Sequence, residues 1–335
     1  MTENIPTVLF DVLRVVLIFT GIMTLVPMLV LAERRISAVI QNRVGPNRVG
    51  PMGLLQPLAD VLKLLFKEDI IPNRADRVLY SLGPFLAFAP AAIAFVAIPV
   101  GRGLQVADLS VGVLYVLAVT SLGVYGISFG GWASNSKYSL LGGIRSSAQI
   151  ISYEIAMGLS IVSVLMVSGN INLGNIVQWQ ADNGWIIFYQ PVAFLIFLVA
   201  AFAENNRLPF DMAECEAELV GGFHTEYSGM KFGMFFLGEY LAMIVMSSLM
   251  VTLFLGGWDP LFFELPEGAG GTVLSVLCFV LKLLAVLFFY IWVRWTLPRF
   301  RYDQLMKLGW KTLIPLALLN IVVTGVAVAL LVGTG

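Results

Sequence analysis

MFFLGEYLAMIVMSSLMVTLFLGG, residues 234–257, is the stretch whose reading decides the fold. As a helix it is long enough to cross a bilayer, which takes about 20 residues at roughly 1.5 Å each. It lacks the polar stripe that returns every turn on a helix facing water, and its one charged side chain is Glu239. Comparable blocks occupy about 8–32, 78–99, 111–131, 146–168, 185–203, 272–293 and 312–333. Composition agrees, with 59% hydrophobic and only 12% charged residues, against about 25% charged in soluble domains. The chain reads as a single all-α membrane domain, residues 1–335, of about eight transmembrane helices.

Charge patterning sets the orientation. Of the 20 Lys and Arg residues, all but Arg14, Arg102 and Lys282 fall in the connections after the first, third, fifth and seventh blocks. Positive-inside bias therefore places these loops in the cytoplasm and both termini on the outer, periplasmic side. The loops are a strap at 34–77, an acidic loop at 204–233 and a basic loop at 294–311, with a shorter basic turn near Lys137 and Arg145. The first block carries Glu3 and Asp11 near its start and ends at Glu33-Arg34-Arg35 without a small-residue cleavage site, so it reads as a retained span.

Two cysteines, Cys215 and Cys278, and one histidine, His224, are too few for a four-ligand iron–sulfur cluster, a structural zinc or paired haem ligands. No GxGxxG or GxxxxGK[ST] pattern occurs. No metal, nucleotide or nucleic-acid site is expected, and any redox centres belong to partners.

The polar loops carry the chemistry. Residues 42–51 are a tandem repeat of Asn-Arg-Val-Gly-Pro, whose Gly-Pro pairs break helix and set turns; the plain alternative is a turn with two solvated arginines. After it, Gln56, Asp60, Lys63 and Lys67 share one face of a short helix at about 54–67, with Leu55, Leu58, Leu62, Leu65 and Phe66 largely on the other. Too short to span, this amphipathic helix should lie in the interface, as an anchor or as a lip beside an amphiphilic ligand. The acidic loop holds Glu204, Asp211, Glu214, Glu216, Glu218 and Glu226 around a single base, Arg207, among apolar residues. Clustered, buried acids raise one another's pKa values and hold exchangeable protons. Glu154, Glu239 and Lys282 lie inside spans, where charge is costly and faces an interior or a wet path. A buried ion pair of Glu154 or Glu239 with Lys282 is the structural alternative. Span three has no acid, so a polar route there needs Ser121, Tyr125 or water.

Residues 41–51, the following Gln56–Asp60, Gly131–Asn135, Glu204–Asp211, the acidic run through Glu226-Tyr227 and Pro298–Met306 together resemble the H-subunit family of NADH:quinone oxidoreductase, respiratory complex I. The likeness covers nearly the whole chain. It implies a membrane subunit that docks the hydrophilic arm, abuts small and antiporter-like membrane subunits and lipid, and forms much of a quinone chamber. It also implies FMN and iron–sulfur clusters only in partner subunits and quinone as substrate; the membrane is read as a bacterial inner membrane, with the mitochondrial inner membrane as the alternative. The positions matching the family's chamber are Glu33, Arg34, Arg35, Asp60, Lys63, Arg294, Arg299 and Arg301. Those matching its acidic path are Glu154, Glu204, Glu214, Glu216, Glu226 and Glu239, with Glu218 in the same run and Asp211 at its border. A homologous membrane chain of an energy-converting hydrogenase-type complex would share fold and acids without a quinone.

Overall fold

A computed structural model of the chain describes residues 5–213, 220–261 and 265–333. The described residues are helical and turn segments joined by short irregular connections, with one isolated bridge between Gly101 and Leu104. Among them seven helices are long and apolar enough to cross a membrane. In chain order the helices are α1 (Ile5–Ile40), α2 (Gln56–Phe66), α3 (Arg77–Ala94), α4 (Gly112–Ala133), α5 (Lys137–Ser168) and α6 (Leu173–Asn183). Then follow α7 (Ile186–Tyr189), α8 (Pro191–Glu204), α9 (Gly229–Phe254), α10 (Ala269–Thr296), α11 (Tyr302–Lys307) and α12 (Ile314–Gly333).

The fifth apolar block differs from its expectation as one span. It is divided at Gln190 into α7 and a 14-residue α8. Pro191 supplies no backbone N–H and crowds the preceding turn, so the helix restarts there. The Gln190 side chain is held by Asn320 and Thr324 of α12, at 2.9 and 2.8 Å, which satisfies a polar group at the break. Local caps set other ends: Asp76 accepts from the amides of Val78 and Leu79 ahead of α3, and left-handed Gly169 closes α5.

α9 is the most enclosed of the spanning helices. It packs against α3, α10 and α8, while α5 contacts α4, α8 and α12. Absence of side chains sets the closest approach. A Cβ at Gly126 of α4 would lie 2.4 Å from the Ala87 backbone nitrogen of α3, so the two helices meet backbone to backbone. Gly126→Val should therefore force α3 and α4 apart at about 1–3 kcal/mol or more. The expected readout is a lower thermal midpoint of the detergent-extracted protein; an unchanged midpoint would show that the contact is not needed.

The strap after α1 has no α-helix between Ile40 and Gln56. Its turn depends on Gly53, with φ +75° and the Pro46 carbonyl oxygen 2.3 Å from where a Cβ would stand. On the polar face of α2, Gln56 and Asp60 are partly buried, Gln56 donating to Asp60 and Asp60 pairing with Arg34 of α1, while Lys63 and Lys67 are exposed. Leu58, Leu62, Leu65 and Phe66 remain exposed on the other face, the arrangement of a helix lying at an apolar boundary.

Lys282, midway along α10, does not form the ion pair with Glu154 or Glu239 that is the structural alternative. Its ammonium donates to the carbonyls of Leu255, Gly257 and Asp259 beyond the end of α9, at 2.6, 3.0 and 2.5 Å. It also lies 4.4 Å from the Trp185 ring. Carbonyls left over at a helix end offer negative partial charge without a carboxylate, so the lysine is a clamp between α9 and α10.

Candidate functional site

α1 runs past its apolar block to Ile40, so Glu33, Arg34 and Arg35 are helical rather than part of a loop. This carries Glu33 into the interior, where it is 5% exposed. Its carboxylate accepts from Arg207 Nη1 at 3.2 and 3.3 Å, from the Tyr240 hydroxyl at 2.6 Å, and from Arg294. On its other side Arg207 Nε pairs with Glu239 at 2.6 Å, and the guanidinium lies 4.3 Å from the Tyr240 ring. Four elements thus meet around the Glu33–Arg207 pair: α1, the loop after α8, α9 and α10. Burial pulls the pKa of Arg207 down, but Glu239, Tyr240 and Glu33 outweigh it and hold the guanidinium well above its ordinary value. The cluster is a fixed cation between two carboxylates.

Beyond Glu239 lies a cavity of about 280 Å³ between α3, α4, the end of α8 and residues 232–246 of α9. Glu204, Glu239, Asn205, Asn206 and His224 are on its wall, and a cavity with such polar partners is roomy enough for water. Glu204 Oε2 is buried with no hydrogen-bond partner among the described residues. Glu154 of α5 interacts electrostatically with Glu204 and accepts from Ser121 of α4. Of the two side chains expected to carry a polar route through span three, Ser121 meets an acid, while Tyr125 is 54% exposed and packs on Phe129.

The expected chamber and relay residues also meet at a second point, where Arg299 pairs with Asp211 at 2.8 Å and Phe300 stacks on Phe210. Arg35 donates to the Met52 carbonyl and orders the strap. Lys63 is exposed on α2, and Arg301 is exposed beside Asp303 at 3.5 Å. Glu226 is half-buried, its backbone carbonyl accepting from Tyr80. Glu214, Glu216 and Glu218 lie outside the described residues.

Burial pushes the His224 imidazole down to about 4 from 6.5. Between those values the unfolded chain binds the proton and the folded one does not. The stability His224 contributes is therefore complete above about pH 6.5 and lost as pH falls through 4. Protection factors for amide exchange across residues 220–228 should fall between pH 7 and 5 relative to those of the α9 core; an equal fall in both would assign the change to global unfolding.

Residues 13–325 match the family model described as NADH dehydrogenase. The chain belongs to the NADH dehydrogenase family. Among its relatives, an H subunit of NADH-quinone oxidoreductase from Geobacter sulfurreducens is 55% identical over 93% of this chain and 94% of its own length. NADH-quinone oxidoreductase subunit 8 of Rhodothermus marinus is 54% identical over 94% and 96%. An H subunit of the same enzyme from Cytophaga hutchinsonii is 51% identical over 89% and 91%. In this member of the NADH dehydrogenase family, sequence reasoning misses Arg207 and Tyr240 as site residues. The signal for Arg207 is its position as the lone base among six acids; nothing in the sequence singles out Tyr240.

Proposed function

We propose that this chain is the H-type membrane subunit of a proton-translocating NADH:quinone oxidoreductase in a bacterial inner membrane, working as part of that enzyme with no complete active site of its own. It crosses the membrane eight times with both termini periplasmic, α7 and α8 together making the fifth crossing. Quinone is the substrate; FMN and iron–sulfur clusters belong to the hydrophilic-arm subunits docked on its strap and basic loop, and antiporter-like and small membrane subunits flank it. Glu33, Arg34, Arg35, Asp60, Lys63, Arg294, Arg299 and Arg301 line the quinone chamber. Glu154, Glu204, Asp211, Glu214, Glu216, Glu218, Glu226 and Glu239 form the charge relay.

The observation that carries this reading is the Arg207 bridge, which binds Glu33 of the chamber set and Glu239 of the relay set at once. Reducing a quinone takes up two electrons and two protons, so charge demand arises beside Glu33 and Arg294. A change of charge there alters the field on Arg207 and hence on Glu239, whose other neighbour is the cavity. Buried groups so close are screened little by salt, and their titrations are shared.

A photoreactive quinone analogue in native membranes is the test. Labelling is expected within residues 33–67 or 294–306, with competition by unlabelled quinone and recovery of NADH-oxidising partner chains. An assembled, active complex with no label in this chain would move the quinone elsewhere and leave docking and charge relay.

A further inference from the structure

Lys282 has no part in the chamber or the relay, and we infer that it is the positioning residue that fixes the depth of α9 and so sets Glu239 against Arg207. The inference rests on the function proposed above, in which Glu239 belongs to the relay. The last carbonyls of a helix have no partner within it and carry the negative end of its dipole. At the end of α9 two neighbours take up the unpaired groups. Gln180 of α6 donates to the Thr252 carbonyl at 2.8 Å and accepts from the Gly256 amide at 2.9 Å. Lys282 of α10 directs all three N–H donors of its ammonium to Leu255, Gly257 and Asp259. These carbonyls converge because Gly256 and Gly257 are both left-handed, at φ +73° and +52°, which a residue without a Cβ adopts readily. Trp185 and Val177 close over the turn: a Cβ at Gly256 would lie 2.4 Å from the indole nitrogen, and one at Gly257 2.6 Å from Val177. The Trp185 ring lies 4.4 Å from the ammonium, and the Asp259 carboxylate adds to the negative field. The end of α9 and Trp185 thus form a cage for one primary ammonium, filled from α10.

The depth of α9 matters in its other half. Glu239 lies 16 residues before Leu255 (239 to 255), about 24 Å along the helix at roughly 1.5 Å per residue. α9 is one continuous helix from Gly229 to Phe254 without proline, so a movement at its end is carried to Glu239. There Glu239 meets Arg207 Nε at 2.6 Å and Tyr240 donates to Glu33 at 2.6 Å. A shift by one residue's rise, about 1.5 Å, strains or breaks both contacts. Packing on α3 gives little hold against sliding at that level. Gly238 presents no side chain there, and a Cβ on it would stand 2.8 Å from the Ala87 carbonyl oxygen. Hydrogen bonds from a charged donor are directional and about twice as strong as neutral ones, so the caged ammonium supplies the axial hold. An apolar side chain in its place would leave buried carbonyls without a donor.

The experiment uses the intact complex, with NADH-driven quinone reduction and proton translocation measured in inverted membrane vesicles and normalised to assembled complex. Lys282→Ala is expected to lower both by about 10-fold or more, the factor carried by a hydrogen bond to a charged group. The atoms lost, Cγ to Nζ, have the shape of n-propylammonium. This amine is therefore expected to restore quinone reduction in the detergent-solubilised complex, where no proton gradient is present for an amine to dissipate. Tetramethylammonium, a cation without N–H donors, should not. In a Glu239→Gln background Lys282→Ala is expected to cost nothing further, because the group it positions is gone; a lysine that only stabilised the bundle would give additive losses. Wild-type rates in assembled Lys282→Ala, no restoration by n-propylammonium, equal restoration by tetramethylammonium, or additive losses would each overturn the inference. Lys282→Gln keeps N–H donors without the charge and should also be slow. It carries the same cycle if Lys282→Ala fails to assemble, and wild-type rates in it overturn the inference too. Slow Glu239→Gln beside wild-type Lys282→Ala removes only this lock, whereas wild-type rates in both remove the proposed function as well.

Discussion

Arg207→Met should lower NADH-driven quinone reduction in assembled membranes by about 10²-fold or more. The side chains of Arg207 and Glu33 are 4% and 7% exposed, and Glu239 is 20% exposed, so solvent screens this cluster little. In the native chain two cations, Arg207 and Arg294, face two carboxylates, Glu33 and Glu239. The substitution leaves one cation for two buried carboxylates. Removing one partner of a buried pair costs about 3–5 kcal/mol, which is roughly two to nearly four powers of ten in a population. Because the cost comes from the carboxylate left behind, Arg207→Met combined with Glu239→Gln should recover part of the lost thermal stability, with Glu33 still held by Arg294 and Tyr240. Rates normalised to assembled complex decide the first expectation, and thermal midpoints of the Arg207→Met single and the double decide the second. An Arg207→Met variant at wild-type rate, or a double no more stable than that single, would deny the bridge its role.

The spanning helices are legible because each is a local property of a long apolar block, and a block announces itself in about 20 consecutive residues. What is hidden depends on partners far away in the chain. Glu33 meets Arg207, Tyr240 and Arg294 across 174, 207 and 261 residues, and no periodicity or spacing carries that information. The same holds at Gln190, where the break in the fifth block is supported by Asn320 and Thr324 of α12. Lys282 shows the limit in another way. A buried lysine asks for negative potential, and among side chains only a carboxylate offers it in full. Backbone carbonyls beyond α9 meet the same demand, and backbone groups have no letter in the sequence.

Glu239→Gln is the substitution that separates scaffold from relay. The amide fills the same volume, and Arg207 keeps its hold on Glu33, so the complex should assemble and bind quinone much as before. What is lost is a group that can change its proton between the Arg207 bridge and the cavity. Loss of a positioned proton-transfer group costs about 10²–10⁴ in rate, so coupled turnover and proton translocation should both fall by at least about 10². Glu239→Asp keeps the carboxyl but draws it back from Arg207 Nε, now 2.6 Å away, and should recover part of both activities. An amide that assembles and still translocates at the wild-type rate would leave Glu239 as a counter-ion for Arg207 and nothing more. Retained quinone reduction without translocation would instead place Glu239 after the point where the charge change of the chamber becomes proton movement, because the chamber side of Arg207 would then be working without its cavity side.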